Sequence, residues 1–373
     1  MKKAVRIVAA LAAAVMLAVS CAGCAAKSPV YASYGKYGIT EAMYEYWLSY
    51  YKARFYASLS DYGLTDDGNG SVWDKSPDGG KTLGEQVKDH VDELIRQLLV
   101  SSVIYDERGF GEDAETKKLL DDAVDGFLSD EITAAGSRAE LNRDLSQVGC
   151  NIDTLRRIFE FEARSMIVAD RLFGEGGEYA VTDAEREDYY QDNYHRIKHV
   201  MINDSYKYVL DDNGSPKVDI YTGRYITEEL TEDEAAEKRE LAESVYRRAS
   251  DGENFEDLIE EYNEDAGMEA YTEGYFVSPG STVDPAYLSA AITMKTDEVR
   301  LQKTSYGLMI MKKYPLEPGM WQSEISYAFF TGMDTELLEQ KKTSVYGKRY
   351  DGITYTDFSP DFSQLPMIRA SQN

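Results

Sequence analysis

Two short apolar runs enclose a segment in the middle of this chain and limit how that segment can fold. The first run is His195–Ile202, and the second is Gly307–Met311, which follows the turn-like residues Thr304-Ser-Tyr. Apolar runs of this length, bounded by turn residues, are typical of buried strands. Because both runs lie within His195–Tyr314, the sequence predicts a small sheet that closes locally inside this segment.

The sequence before His195 has the periodicity of helices instead. In the stretch Met43–Phe55, apolar residues recur at spacings of three and four, and similar stretches follow. The pattern predicts a helical N-terminal region without strands, preceded by a polar tether at Lys27–Lys36. The aromatic face of Tyr44–Phe55 fits either core packing or a binding surface. Capping-box sequences predict three helix starts, at Thr82–Glu85, Thr182–Glu185 and Thr231–Glu234.

The N-terminus has the features of a secretory leader. Three basic residues precede the apolar run Ile7–Val19, and small residues surround Cys21 and Cys24. The run is short for a membrane span, and a cleavage site of the lipoprotein type ends it. The sequence predicts a signal peptide at residues 1–24, with acylation of Cys24 or, as the alternative, Cys21. One lipid would anchor the chain to the outer face of the cell membrane. A plain secretory leader with incidental cysteines stays open.

The charge balance excludes several classes of function. The chain has 373 residues and a net charge of −27 at pH 7. Nucleic-acid binding needs a positive surface, and adsorption to an anionic membrane needs basic clusters, so neither is expected. Beyond the leader, Cys150 is the single cysteine in the sequence, so no internal disulfide is expected. The sequence indicates no cofactor.

A series of motifs within His195–Tyr314 gives the segment a family resemblance. After the first strand come the stretch Asp251–Asp265, the sequence Gly274-Tyr-Phe276, the stretch Pro285–Ile292 and the closing strand. This order resembles a parvulin-type (PpiC) peptidyl-prolyl isomerase domain.

Sequence on either side of the segment extends the resemblance. Tyr37-Gly-Ile-Thr-Glu41 and Val181-Thr-Asp-Ala-Glu185 are similar to segments of PrsA/SurA-type extracytoplasmic foldases. The resemblance implies an α+β fold. It has a helical chaperone-like domain at 25–194 and an inserted parvulin-like domain at 195–314, in which helices flank a small antiparallel sheet. A C-terminal helical segment at 315–373 would pack back on the N-terminal domain, although the sequence alone equally allows a separate small tail.

The resemblance also implies a site and its substrates. His199 and Asp265 match catalytic positions, and the cup for a proline ring is expected from Val283, Phe276 and Tyr287. The family's second histidine falls at Met309, which is expected to contact substrate but whose thioether cannot hydrogen-bond as an imidazole does. Two functions stay open: a foldase that isomerises Xaa-Pro bonds of unfolded or nascent secreted polypeptides, weakly because of Met309, or a non-catalytic holdase with a degenerate domain.

Several of these residues also fit simpler roles. His199 on an apolar strand fits a buried core histidine, and Asp265 fits a turn residue. His195 and His199 lack a third ligand in the sequence, so no metal site is expected. The residues 203–225 form an insertion to which no role is assigned. A hairpin turn is expected at Asp211–Gly214, between Tyr206–Leu210 and Lys217–Tyr221.

Replacing both Cys21 and Cys24 with serine tests the predicted anchor. Without a thiol there is no site for the acyl chain, so the protein should move from the membrane fraction to the soluble fraction on cell fractionation. The single variant Cys150→Ser is the control and should leave the distribution unchanged. Membrane association that survives the double substitution would contradict lipidation at these residues.

Overall fold

The computed structural model describes residues 28–65, 71–77, 79–211 and 213–368. Cys21 and Cys24, at which lipidation is predicted, lie outside these ranges. Within the ranges, no helix has both the length and the apolar character that crossing a bilayer requires. Contacts divide the chain into two units, with boundaries after Ala180 and after Gln340, and the first unit holds sequence from both sides of the second. The domain boundaries expected from the sequence, at 195–314 and 315–373, stay predictions.

The described chain combines α-helices with small antiparallel sheets. The helices are α1 (Glu41–Ala57), α2 (Leu83–Glu107), α3 (Ala114–Ala135), α4 (Arg138–Ser146), α5 (Ile152–Phe173), α6 (Asp183–Asn193), α7 (Glu232–Ser250), α8 (Phe255–Tyr262), α9 (Gly267–Ala270), α10 (Pro285–Thr293) and α11 (Met333–Gly347). The strands are β1 (Val30–Tyr34), β2 (Tyr37–Thr40), β3 (His195–Ile202), β4 (Tyr206–Tyr208), β5 (Thr227–Glu229), β6 (Tyr275–Val277), β7 (Val299–Thr304), β8 (Gly307–Tyr314) and β9 (Thr354–Tyr355). The predicted α+β fold is confirmed.

Side-chain caps set the starts of several helices. Thr82, Thr182 and Thr231 each accept a hydrogen bond from the amide of the glutamate three residues later, whose carboxylate bonds back to the threonine amide. In a simpler cap, the Thr40 hydroxyl accepts a hydrogen bond from the Met43 amide at 3.3 Å and starts α1. Each cap satisfies amides that the first turn of a helix leaves without helical partners. The three predicted capping boxes are confirmed.

In the first unit, α2 packs against α1 and α5. Its buried side chains recur at helical spacing and form one stripe: Val87, Val91, Ile95, Leu98 and Leu99. The C-terminal residues join this unit through Lys52 of α1, which is buried. The Lys52 ammonium donates hydrogen bonds to the carbonyl oxygens of Phe362 and Leu365, each at 2.8 Å. These carbonyls replace the water that a buried ammonium loses.

The prediction of a polar tether at Lys27–Lys36, with no strands before His195, is wrong. β1 pairs with β2 through a turn at Gly35 and also pairs with β9. Gly35 has a φ of 59°, which glycine adopts without a steric cost. The strands are short, and Thr354 of β9 follows its neighbour Ser33 by 321 residues. The pairing of β1 with β9 is therefore invisible to any local pattern, whereas the β1–β2 hairpin is local and was overlooked.

The second unit is built around a four-stranded antiparallel sheet with the order β6-β3-β8-β7. This sheet confirms the one expected between His195 and Tyr314. One face packs on α10, and the other packs on α7 and α8. Because alternate residues of a strand point to opposite faces, Ile197 of β3 belongs to the first cluster and Val200 to the second.

The insertion after β3 contains two consecutive turns. The expected turn forms: the Asp211 amide donates to the Ser215 carbonyl at 2.8 Å, and Gly214 has a φ of 81°. The expected pairing of Tyr206–Leu210 with Lys217–Tyr221 is wrong for its first residues, because Tyr206–Tyr208 pair with Thr227–Glu229. A second turn follows, in which the Asp219 amide donates to the Arg224 carbonyl at 2.8 Å. The chain then returns through β5, which pairs with β4.

Residues outside the predicted domain segment complete the core of the second unit. Phe276 of β6 is buried, and its ring centroid lies 6.2 Å from that of Tyr190 in α6 and 5.0 Å from that of Phe330. The Glu273 carboxylate accepts a hydrogen bond from the Ser326 hydroxyl at 2.6 Å. The sheet thus takes part of its core from both flanking segments.

Two fragments test how much the flanking segments contribute to stability. A fragment of residues 181–340 should unfold at a higher urea concentration than a fragment of residues 195–314. The shorter fragment exposes Phe276, and burying such a side chain is worth about 1.5–3 kcal/mol. Phe330→Ala in the longer fragment should reproduce part of this loss, because it removes the ring that packs on Phe276. Equal urea midpoints for the two fragments would show that the flanks add nothing.

Candidate active site

His199 is the side chain around which the site is arranged. It lies in β3, on the face that packs on α10, and its side chain is 4% exposed. Its Nε2 lies 3.0 Å from Oδ2 of Asp265, and its Nδ1 lies 3.2 Å from the hydroxyl oxygen of Tyr287. Both ring nitrogens therefore have partners, and the structure brings together three of the residues that the sequence selected.

Asp265 is held by the loop between α8 and α9. The side-chain oxygen of Asn263 accepts hydrogen bonds from the amides of Met201 and Asp265, which ties the loop to β3. Burial alone would raise the pKa of Asp265, but hydrogen bonds from His199, the Gly267 amide and the Tyr275 hydroxyl hold it at about 2. The carboxyl is therefore ionised at neutral pH and can only accept hydrogen bonds.

Tyr287 completes the network from the other side of the imidazole. The Asp284 side chain caps α10 by accepting hydrogen bonds from the amides of Ala286 and Tyr287, which fixes Tyr287 in the first turn. Burial raises the pKa of the Tyr287 phenol well above its ordinary value, so it keeps its proton. When Nε2 of His199 donates to Asp265, Nδ1 of the neutral ring accepts from Tyr287.

Met309 belongs to the same buried cluster as Tyr287. It lies in β8 directly opposite Met201, and its neighbour on that face, Met311, lies opposite His199. The position at which the family resemblance expects a second imidazole is therefore part of an apolar core. It supplies packing next to the polar network and no hydrogen bond.

The residues expected to form a proline cup lie on different sides of the sheet. Phe276 faces away from His199, because it lies opposite Arg196 in the strand pairing. Val283, 37% exposed, and Phe276 line a separate pocket of about 730 Å³, together with Tyr194 and other residues of the second unit. Tyr287 is not among the residues lining it. A substrate-binding role for Val283 and Phe276 stays a prediction.

Tyr275 is a site residue that the sequence reasoning missed. Its ring is stacked on His199 with a centroid distance of 5.3 Å, and its hydroxyl donates to Oδ2 of Asp265 at 2.8 Å. The signal was strand alternation: the residue next to Phe276 must point to the opposite face, and this is the face of His199.

Residues 194–314 match the family model described as a PPIC-type PPIase domain. This segment is a PPIC-type peptidyl-prolyl isomerase domain. The match confirms the parvulin-type resemblance, and its bounds include His199, Asp265, Tyr275, Tyr287 and Met309.

Solved structures of PrsA proteins are also similar to the chain. PrsA from Bacillus subtilis is 21% identical over 76% of this chain and 91% of that chain, with a TM-score of 0.24. The peptidylprolyl isomerase PrsA from Bacillus cereus is 15% identical over 72% and 83% of the two chains, with a TM-score of 0.28. Foldase protein PrsA from Streptococcus pneumoniae is 18% identical over 72% and 87%, with a TM-score of 0.21. No curated protein sequence matches the chain.

The network of the PPIC-type domain offers an accessible polar edge. The Asp265 side chain is 25% exposed, against 4% for His199, and Tyr275 is partly buried. A peptide at this edge can meet a carboxylate and a phenol, while the imidazole holds the carboxylate in position. His195 does not extend the network, because its Nδ1 lies 3.1 Å from the Lys313 ammonium. In the described ranges, no group of three His, Cys, Asp or Glu side chains is placed to hold a metal ion.

Asp265→Asn tests the electrostatic part of the network. The pKa of Asp265 is lower in the folded chain than its ordinary value of 3.8, so its charge stabilises the fold above that value. This stabilisation is lost as the pH falls from 3.8 towards about 2. At neutral pH the variant should lose about 1–2 kcal/mol in the free energy of unfolding, measured with urea.

The difference between the variant and the parent chain should shrink at acid pH. Asp257→Asn, at the exposed start of α8, is the matched control and should have little effect at either pH. A loss that is the same at neutral pH and at about pH 3 would contradict an ionised Asp265 as its cause.

Proposed function

We propose that the chain is an extracytoplasmic foldase that binds unfolded or nascent secreted polypeptides and isomerises their Xaa-Pro bonds. The observation that carries the proposal is the PPIC-type match at 194–314, within which His199 and Asp265 are in hydrogen-bond contact. A lipid on Cys24, or on Cys21, would hold the protein at the outer face of the cell membrane, where such polypeptides emerge.

The proposed catalysis acts on the electrons of the amide rather than on a covalent bond. The planar Xaa-Pro bond resists rotation, with a barrier of about 18–20 kcal/mol, because of its partial double-bond character. The planar form puts more negative charge on the carbonyl oxygen than the twisted form does. A fixed carboxylate near that oxygen, such as Asp265, repels the planar form more strongly and so favours the twisted one. His199 and Tyr275 are positioning residues, because they hold the carboxylate.

Two features favour the alternative function of a non-catalytic holdase. Met309 supplies no donor or acceptor where the family resemblance expects an imidazole, and the Nδ1 of His199 is already bonded to the buried Tyr287. The network then has few free donors or acceptors that could hydrogen-bond to an amide as it twists. In this reading the domain grips prolyl segments without speeding their rotation.

A prolyl-isomerisation assay on a short Xaa-Pro peptide, with three variants, separates the two functions. The parent chain should give a small rate above the uncatalysed background. Met309→His restores an imidazole beside the network and should raise that rate. Met309→Leu, which is close in volume and has no hydrogen-bonding group, should leave the rate near that of the parent. His199→Ala should change turnover by less than tenfold, or about 1.4 kcal/mol.

Calorimetry measures peptide binding by the same variants, and circular dichroism checks that each variant is folded. Rates at background for the parent and for Met309→His, with intact spectra and intact peptide binding, would establish the holdase instead. Loss of peptide binding as well, with no suppression of aggregation in light scattering, would refute both functions.

A further inference from the structure

A pocket of the first unit is lined by residues of α1, α2, α3 and α5. Its volume is about 280 Å³. Aromatic rings form most of its lining: Tyr46, Trp47, Tyr50, Tyr51, Phe127 and Phe159. The rings are packed on one another, since Tyr46 and Tyr50 are stacked at 6.2 Å and Phe127 meets Phe159 edge to face at 5.6 Å. The aromatic face of Tyr44–Phe55, for which the sequence allowed either core packing or a binding surface, is therefore partly open to a ligand.

Carboxyl groups line the same cavity. Asp130 and Glu131 come from the end of α3, and Glu162 comes from α5. The Glu162 side chain accepts a hydrogen bond from Nε1 of Trp47 at 3.0 Å, so it is fixed against the aromatic lining. Burial raises the pKa of Glu162 to about 7, the Trp47 hydrogen bond lowers it, and the charge of Glu131 raises it. A positive charge next to Glu162 would offset the cost of burying its carboxylate.

No basic side chain is among the described residues that line the cavity. Arg54 lies one turn along α1, but it is exposed and donates to the Tyr50 hydroxyl at 3.2 Å. Rings present the negative face of their π systems to a cation, and a carboxylate adds a charge-assisted hydrogen bond. Together, an aromatic lining and carboxylates select a cation over a neutral or anionic group.

We propose that this pocket binds the ammonium or guanidinium group of a lysine or arginine side chain in an extended polypeptide. The cavity has the size for one side chain rather than for a folded element. The surplus of 67 acidic over 40 basic residues attracts basic polypeptides to the protein. The choice of a polypeptide over a small amine rests on the proposed function, but the site itself needs no isomerase activity.

Calorimetric titration of the full chain with proline-free peptides tests the proposal apart from the PPIC-type domain. The probe is acetyl-Gly-Gly-Lys-Gly-Gly-amide, and the matched control peptide has norleucine in place of lysine. Norleucine keeps the aliphatic stem and removes the charge. The lysine peptide should bind at least about tenfold more tightly. Because neither peptide contains proline, a failed isomerase assay and a failed cation site give separate results.

Substitutions in the lining locate the binding. Glu162→Gln keeps an oxygen that accepts from Trp47 but removes the charge, so it should weaken lysine-peptide binding about tenfold. Glu160→Gln, on the same helix but outside the lining, changes the net charge equally and should alter binding by less than about twofold. Phe127→Leu should weaken binding about threefold through loss of the π face.

The pH dependence gives an independent readout. Glu162 shares the cavity lining with Asp130, Glu131, Tyr46, Tyr50 and Tyr51. Arg54 donates to the Tyr50 hydroxyl, and the His90 ring lies 4.4 Å from that of Tyr51. Lysine-peptide binding should strengthen from about pH 6 to about pH 8 as Glu162 ionises, and this gain should be absent in Glu162→Gln.

Three results would overturn the proposal. Equal affinities for the norleucine and lysine peptides would show that the pocket recognises the aliphatic stem and not the charge. Equal weakening by Glu160→Gln and Glu162→Gln would trace the effect to overall charge. Binding of butylammonium without binding of the lysine peptide would assign the pocket to free amines instead of polypeptides.

Discussion

The pairing of β3 with β8 is the constraint on which the second unit depends. β3 has a neighbour on each side and is buried on both faces, so every side chain has a fixed direction. A slip of one residue would turn His199 towards α7 and α8 and separate it from Asp265 and Tyr287. The same slip would move Ile197 and Val200 out of their clusters. The apolar core therefore enforces the geometry of the polar network.

Within that frame, His199 acts as a support between two fixed groups. Asp265 is held by the imidazole, by an amide and by Tyr275, so the carboxylate is rigid and ionised although it is partly buried. The proposed electrostatic catalysis needs such a rigid charge, because no reorganisation is then required while an amide twists. The cost is that the imidazole has no spare nitrogen, and Met309 adds none. The site is thus ordered around one accessible carboxylate rather than around a pair of histidines.

The sequence predicted best those features whose causes are local. Capping at Thr82, Thr182 and Thr231 depends on residues three positions apart, and the strands β3 and β8 carry their own apolar runs. The sheet of β1, β2 and β9 was missed because its strands are short and one neighbour comes from the far end of the chain. His199, Asp265 and Tyr287 were selected by resemblance, and the structure places them in contact, while their roles stay predictions. Tyr275 was missed because motif matching favoured Phe276 and overlooked the alternation of a strand.

The buried ammonium of Lys52 has a consequence for how the chain reaches this fold. Its carbonyl acceptors, at Phe362 and Leu365, and the strand that pairs with β1 all lie near the C-terminus. As the chain is made from its N-terminus, the four-stranded sheet has all its strands before any of these groups exist. Synthesis of the first unit therefore begins first and ends last. The Lys52 ammonium stays hydrated until Phe362 and Leu365 have been added and can accept its hydrogen bonds.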